Sequence, residues 1–175
     1  NSKWLETPVQ KNFSENLALL SGTDNRLSVE LLTQKGRNNL SFAVGEEILF
    51  FLKANKNVYV KLYTADASNK IFRIYPNEFT NSTPLVRAGE VASIPGNTYS
   101  SDFSFLVKGQ TGNEMVFAFA SDTPLPDLPG SSDTGFYGMR QVNLNIRQIK
   151  QWVSDYALQR GISLSWDSLP ILTHQ

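Results

Sequence analysis

The chain has no cysteine and a single histidine, His174, at the second-last of its 175 positions. The first absence excludes a disulfide framework and thiol catalysis. The second leaves a nucleophilic triad without its usual base, and no Gly-x-Ser-x-Gly elbow is present. Excess charge of either sign is missing too: sixteen basic and sixteen acidic side chains sum to a formal charge of zero. No basic run offers a footprint for nucleic acid or an anionic membrane, although a sum says nothing about a local patch. Long hydrophobic runs are also lacking. Ile48-Leu49-Phe50-Phe51-Leu52 is the longest, far short of the roughly 20 apolar residues that span a bilayer. The chain opens Asn1-Ser2-Lys3 without Met. The expectation is that an upstream segment has been removed, a signal or lipoprotein leader able to anchor the protein at a membrane.

What is present reads as one domain with a packed interior. Apolar residues make up 41% of the chain and aromatics 11%, mostly Phe, and this length buries a core without staples. Residues 1–26 are polar with scattered anchors such as Trp4 and Phe13, and read as an N-terminal tether with one helical turn near Ser14–Leu20. From Leu27 the apolar period becomes two: Leu27, Val29 and Leu31 alternate with polar neighbours, the signature of a half-buried strand. Gly36-Arg37-Asn38-Asn39 is a turn. Glu47–Lys53, apolar on both faces, suits a central strand. After the turn Asn55-Lys56-Asn57, residues Val58, Val60 and Leu62 alternate with Tyr59, Lys61 and Tyr63. Ala67-Ser68-Asn69-Lys70 suits a hairpin loop into Ile71–Tyr75, which Pro76 ends.

A polar loop over Asn77–Gly89 leads to a short strand, Glu90–Ile94. Asp102–Lys108 and Glu114–Ala120 are expected to form a hairpin, with Phe103, Phe105 and Val107 opposite Met115, Phe117 and Phe119. The Pro-, Gly- and Ser-rich stretch from Thr123 to Ser132 reads as a linker, giving the division 1–26 tether, 27–125 sandwich, 126–141 linker, 142–175 helix and tail. Val142, Ile146, Ile149, Val153 and Tyr156 form a helical stripe, with Asn143 as N-cap and Gly161 as stop. The tail Ile162–Leu172 is expected to add a strand or pack on the sheet. About seven short strands with turns every eight to twelve residues predict an Ig-like antiparallel β-sandwich with a C-terminal amphipathic helix.

Motifs with chemical meaning are few. Asp133-Thr134-Gly135 is the tripeptide of aspartic proteases, but that chemistry needs two carboxylates sharing a proton, and here one copy sits in a Pro-rich surround, where Asp and Gly suit a turn. Glu46-Glu47 cannot converge on one atom, because neighbours on a strand point to opposite faces. Asp24, Asp66, Asp102, Asp122 and Asp127 lie in or beside loops without the Asp-x-Asp spacing of a calcium loop. Tyr59, Tyr63, Phe72 and Tyr75 offer an aromatic platform for a sugar or peptide; the preferred alternative is a second buried face under the helix, whose apolar stripe needs a partner.

An ordered series of short signals runs through the sandwich region. Val44-Gly45-Glu46 precedes an apolar strand, and Asn57-Val58-Tyr59-Val60 opens the next. Ile74-Tyr75-Pro76-Asn77 ends a strand on Pro-Asn, Ile94-Pro95 follows a loop, and Gly112-Asn113-Glu114 leads into a strand ending near Thr123-Pro124-Leu125. In this order the signals resemble a bacterial domain-of-unknown-function family, number 4384, over about residues 27–125. The turn Ala67-Ser68-Asn69-Lys70 departs from the Asp-Gly type common in members, and the first 26 residues and the helix after Gln141 lie outside the resemblance. The resemblance implies a β-sandwich and an accessory, non-catalytic role in bacterial surface and envelope proteins, beside protease-like, kinase-like or secretion-related parts. It supplies no catalytic residues, and the Pro76-Asn77 element reads as a turn device.

The expectation is therefore a protein–protein interaction or scaffold module, periplasmic or associated with the outer membrane, whose partners are envelope proteins or other domains of a larger assembly. No catalytic, cofactor or metal site is expected, and no nucleic-acid partner. The alternative is a carbohydrate- or peptide-binding module. The candidate interaction surface is Tyr59, Tyr63, Tyr75 and Asn77.

Overall fold

The computed structural model describes residues 26–80, 85–96 and 103–175. The expected tether and its helical turn, and the start of the strand read from Asp102, lie outside the described residues. In chain order the elements are β1 (Val29–Thr33), β2 (Leu40–Ala43), β3 (Glu47–Ile48), β4 (Phe50–Ala54), β5 (Val58–Ala65) and β6 (Ile71–Tyr75). They continue with β7 (Leu85–Val86), β8 (Val91–Ile94), β9 (Phe105–Leu106), β10 (Asn113–Ser121), β11 (Ser131–Asp133) and β12 (Arg140–Val142). The helix α1 (Ile146–Arg160) and the long strand β13 (Leu164–His174) complete the chain.

The fold is mostly β, a sandwich with one C-terminal helix on an outer face. The main sheet runs β11-β12-β6-β5-β10-β13-β2, with β7 also paired to β5. A smaller sheet, β1-β4-β8, covers part of one face, and β3 pairs β9 in a two-stranded ribbon beside it. All pairings are antiparallel except β13 with β2.

Strand β10 shows why the main sheet is dry on both sides. Met115, Phe117 and Phe119 point one way and Val116, Ala118 and Ala120 the other, all buried. The small inner residues belong to the core between the sheets, with Leu31, Phe42, Phe50, Leu52 and Leu169. The large outer ones pack with Tyr63, Ile149, Val153, Ala157 and Trp166 beneath the helix. Tyr63 stacks on Phe117 at 5.4 Å between ring centroids, 11° from parallel. The outer face of β5 is thus a second buried face.

Several expectations are corrected. Glu47–Lys53 is not one strand: it breaks at Leu49, whose N–H donates to Gln34 Oε1 and whose carbonyl accepts from Gln34 N–H, so β3 and β4 join different sheets. The hairpin of Asp102–Lys108 with Glu114–Ala120 does not form. β10 lies between β5 and β13, and β9 pairs β3 instead. The stretch 126–141, read as a linker, supplies β11 and β12 to the main sheet, and Leu125 just before it and Leu128 within it are buried. The tail takes the place assigned to the missing hairpin partner, pairing β10 over nine residues as β13. β2 and β7 were not anticipated.

The helix begins at Asn145, two residues later than expected. Asn143 still belongs to the sheet margin, its N–H donating to Gly130 O at 3.4 Å. Asn145 and Gln148 form a reciprocal capping box: Gln148 N–H donates to Asn145 Oδ1 at 2.8 Å and Asn145 N–H to Gln148 Oε1 at 2.9 Å. Gly161, at φ 65°, closes the helix in the left-handed conformation, as its position after Arg160 predicts. Among the described residues no helix is long and apolar enough to cross a membrane.

One carboxylate ties the layers together. Asp167 on β13 accepts from the Leu31 amide of β1 at 2.8 Å and from Arg37 through both of its oxygens, at 2.5 and 3.2 Å. Arg37 also donates to the Leu31 carbonyl at 2.9 Å. The side chains are 29% and 17% exposed, so removing one leaves the other desolvated without its partner. Asp167→Ala is expected to cost about 2–3 kcal/mol, from an orphaned amide and a bared guanidinium. For a chain of this size that lowers the melting temperature by about 5–10 °C. Asp167→Asn, which keeps an acceptor, should cost less in the same thermal denaturation series.

Beneath the helix, Lys150 is buried with its ammonium 3.9 Å from the Trp166 ring centroid. Burial pushes its pKa from 10.5 down to about 8. Between those values the unfolded chain holds more protons than the folded one, so stability should rise as pH climbs from about 8 toward 10.5. Denaturant titrations across that window should show the rise in wild type and a flatter profile in Lys150→Met.

Candidate apolar groove at the sandwich mouth

The small sheet covers the inner face of the main sheet over β5, β10 and β13, but Thr64, Phe72, Met139 and Gln141 toward β6 and β12 stay half-buried. There a groove of about 380 Å3 opens between the sheet and β9. Its floor includes Thr64, Ile74, Val116, Met139 and Ile171, and its opposite wall Ile48, Phe105 and Val107. This volume lies within the usual range of ligand sites, roughly 300–1,000 Å3. A second, more open depression of about 670 Å3 adjoins it through Ser104, Leu106, Lys108 and Tyr137.

The rim carries three exposed apolar side chains. Phe136 is 67% exposed, Tyr137 57% and Leu106 42%, and all three line the groove. The turn between β11 and β12 places the two aromatics. Asp133 Oδ1 accepts from Gly135 N–H, Thr134 Oγ1 from Phe136 N–H, and Met139 N–H donates to Phe136 O. The tip is docked onto the segment after β6 by Glu78 N–H to Tyr137 O at 3.0 Å. Gly138 makes that approach possible, since a Cβ there would lie 2.6 Å from the Glu78 nitrogen, and its φ is +70°.

From the rim, rings run continuously inward. Phe136 meets Tyr137 at 6.0 Å, Tyr137 meets Phe79 at 5.5 Å, and Phe79 meets Phe103 at 6.0 Å. Phe103 contacts Phe105 at 5.2 Å, and Phe105 contacts the buried Phe50 at 5.6 Å. The exposed aromatics are therefore braced by packing rather than loosely hung, which lowers the entropy lost when a ligand binds them. Lys108 and Glu114 place opposite charges in the same lining. Partial burial pushes the Glu114 carboxyl above its ordinary pKa, with the Thr173 hydroxyl opposing and Asp66 adding to the rise.

The four residues picked from sequence do not share this site or one another's surroundings. Tyr63 is buried under the helix and Tyr75 in the core between the sheets. Tyr59 is half-buried and lines a crevice with Pro76, Phe119 and Pro124. Asn77 serves its own turn, donating from Nδ2 to Ile74 O and accepting at Oδ1 from Phe79 N–H, the structural role expected of it. Two of the loop aspartates do similar work: Asp66 accepts from Ser68 and Lys70 amides, and Asp122 from Ser163, while Asp24 and Asp102 lie outside the described residues. The sequence did carry a signal for the rim. Two adjacent aromatics bracketed by Gly135 and Gly138 fall in a turn, where large rings have no core to enter.

Residues 41–124 match the family described as Domain of unknown function (DUF4384). The match covers somewhat less than half of the chain. It spans β2 to β10, so the matched segment supplies Phe105 and Leu106 of the groove and Phe79 and Phe103 of the adjoining depression, while Phe136 and Tyr137 come from the chain beyond it. No curated protein and no solved structure matches the chain.

Because a raised carboxylate pKa favours the folded state only while the group is protonated, the Glu114 charge should weigh against folding as pH rises through its folded pKa. Glu114→Gln is expected to raise the melting temperature by about 1–3 °C at pH 7 and to leave it unchanged at pH 4. Equal gains at both pH values would remove ionisation as the cause.

Proposed function

We propose that this chain is a non-catalytic binding module that receives an apolar segment of a protein partner in the groove between β9 and the main sheet. The observation behind this reading is the concentration of Phe136, Tyr137 and Leu106, all substantially exposed, around one concave opening. Apolar side chains gathered at a concavity are removed from water together when a partner fills it, at about 25 cal/mol per Å2 buried. Aromatic anchors seated in a pocket are also the residue types that carry most binding energy at interfaces. Lys108 and Glu114 would orient the partner's polar backbone or flanking charges. The resemblance of residues 27–125 to envelope-associated accessory domains supports a place in a bacterial envelope or secretion-related assembly, periplasmic or at the outer membrane.

The test is a photo-crosslinking phenylalanine analogue at position 136 of the full chain, activated in the native host before fractionation. An adduct with a defined envelope protein is expected, and Leu106→Glu should abolish it while shifting the melting temperature by less than about 2 °C. Adducts that survive Leu106→Glu, or that form with cytosolic proteins, would overturn the reading.

A further inference from the structure

Three basic side chains distant in sequence meet on the helix side of the main sheet, the face opposite the groove. The register places Arg73 of β6 opposite Arg140 of β12 and opposite Tyr63 of β5, and Lys61 lies two residues from Tyr63 on the same face. All three converge on one carboxylate. Lys61 Nζ lies 3.5 Å from Asp127 Oδ1, Arg140 Nε lies 3.5 Å from Oδ2, and Arg73 Nη1 donates to Oδ1. The Lys61 and Arg73 side chains are each 14% exposed and that of Arg140 is 31% exposed.

Charge does not balance here. Asp133 sits opposite Arg140 in the β11–β12 register, but its Oδ1 is turned to the Gly135 amide. Even counting it, three cations face two carboxylates among the described residues. Donors are in surplus as well: Arg73 Nε is buried with no hydrogen-bond partner among the described residues. The other arginine donors reach neutral acceptors, Arg73 the Gly138 carbonyl and Arg140 the Ser131 hydroxyl and carbonyl. Withdrawing uncompensated cations from water is costly, and an anion brought to them recovers that cost. For Lys61 burial outweighs the Asp127 attraction, and its pKa is lowered.

Asp127 itself is built to yield. At 46% it is the most exposed member of the cluster. It lies between the buried Leu125 and Leu128 on a stretch with prolines at 124, 126 and 129, so the backbone stays pinned while the carboxylate is free to turn outward. We propose that Lys61, Arg73 and Arg140 form a binding site for an anionic group of a ligand, a carboxylate or a phosphate, and that Asp127 is an internal placeholder which this group displaces. Arginine forks suit both chemistries, since each presents oxygens to paired N–H donors. The site is independent of the groove.

The test uses the full 175-residue chain. Inorganic phosphate and succinate are titrated against chloride at equal ionic strength, read by thermal shift and by calorimetry. Phosphate or succinate is expected to raise the melting temperature of the wild type above its value in chloride. Asp127→Asn should bind about tenfold more tightly, and Lys61→Met and Arg140→Met should each lose the effect. Phosphate alone binding would assign a phosphorylated ligand, succinate alone an acidic one, and either supports the site. Curves identical to chloride for wild type and Asp127→Asn would overturn it. So would binding that persists in both Lys61→Met and Arg140→Met, which marks an adventitious ion only. The wild-type titration stands whether or not the variants fold.

Discussion

The constraint on which this structure depends is that its central strands are buried on both faces. β10 cannot sit at a water-facing surface: its outward row of Met115, Phe117 and Phe119 is as apolar as its inward row of Val116, Ala118 and Ala120. Each row demands its own cover, and the chain provides two of different kinds. The small inward residues let the three-stranded sheet approach closely, while the large outward rings interlock with one amphipathic helix. The same demand fixes β13, which enters between β10 and β2 and removes what would otherwise be a bare edge beside the most hydrophobic strand. The segment matched by the family ends at residue 124, so its last strand is completed by chain that lies beyond the match.

Covering both faces of a wide sheet with short elements leaves a margin. The β1-β4-β8 sheet is three strands across, against seven in the main path, and its cover runs out toward β6 and β12. β9 cannot fill the gap as a sheet member, because β5 and β13 already occupy both edges of β10. It pairs with β3 and arches over the opening, with Phe105 and Val107 in the wall. The groove is thus a consequence of topology, and the Asp133–Gly138 turn lines its mouth with rings that the turn geometry itself does not require. A turn requires Asp, Thr and Gly at their positions; it does not require Phe136 and Tyr137.

Much of this was legible from residues alone, and the parts that were not share a cause. Period-two alternation located β1, β5 and β6, and the helix stop at Gly161 followed from a left-handed position after a stripe of apolar residues. The sandwich with a C-terminal helix followed from the number and spacing of these elements. Strand partners did not follow, because alternation fixes which side chains face together along a strand but not which strand lies next to it. Phe103–Val107 and Met115–Phe119 looked like a hairpin on this ground, yet the first segment pairs β3 far upstream and the second pairs β5 upstream and β13 downstream. Pro- and Gly-rich composition misled in the opposite sense: Leu125 and Leu128 anchor a stretch that reads as linker, and Asp127 between them is held by bases from three strands. Tyr63 and Tyr75 were expected to contribute to an aromatic platform, but burial took one into each core. The groove rim stayed hidden because Phe136 and Tyr137 sit in a turn, where neither strand nor helix periodicity assigns a side chain to a face.

The β11–β12 hairpin is where the two faces of the sheet meet in one short segment. Met139 immediately precedes Arg140, the first residue of β12, and the two side chains part to opposite sides, the first into the groove and the second into the cationic cluster. Gly138, just before them, accepts from Arg73 on the cluster side, while its missing side chain allows Tyr137 to dock on Glu78. Register therefore couples the placement of the rim to that of the cluster. A one-residue slip would bury Arg140 against the groove floor and turn Met139 toward Asp127, so the turn chemistry of Asp133 and Thr134 holds both surfaces in place at once. A segment that composition marks as connecting chain is the element on which both proposed surfaces converge.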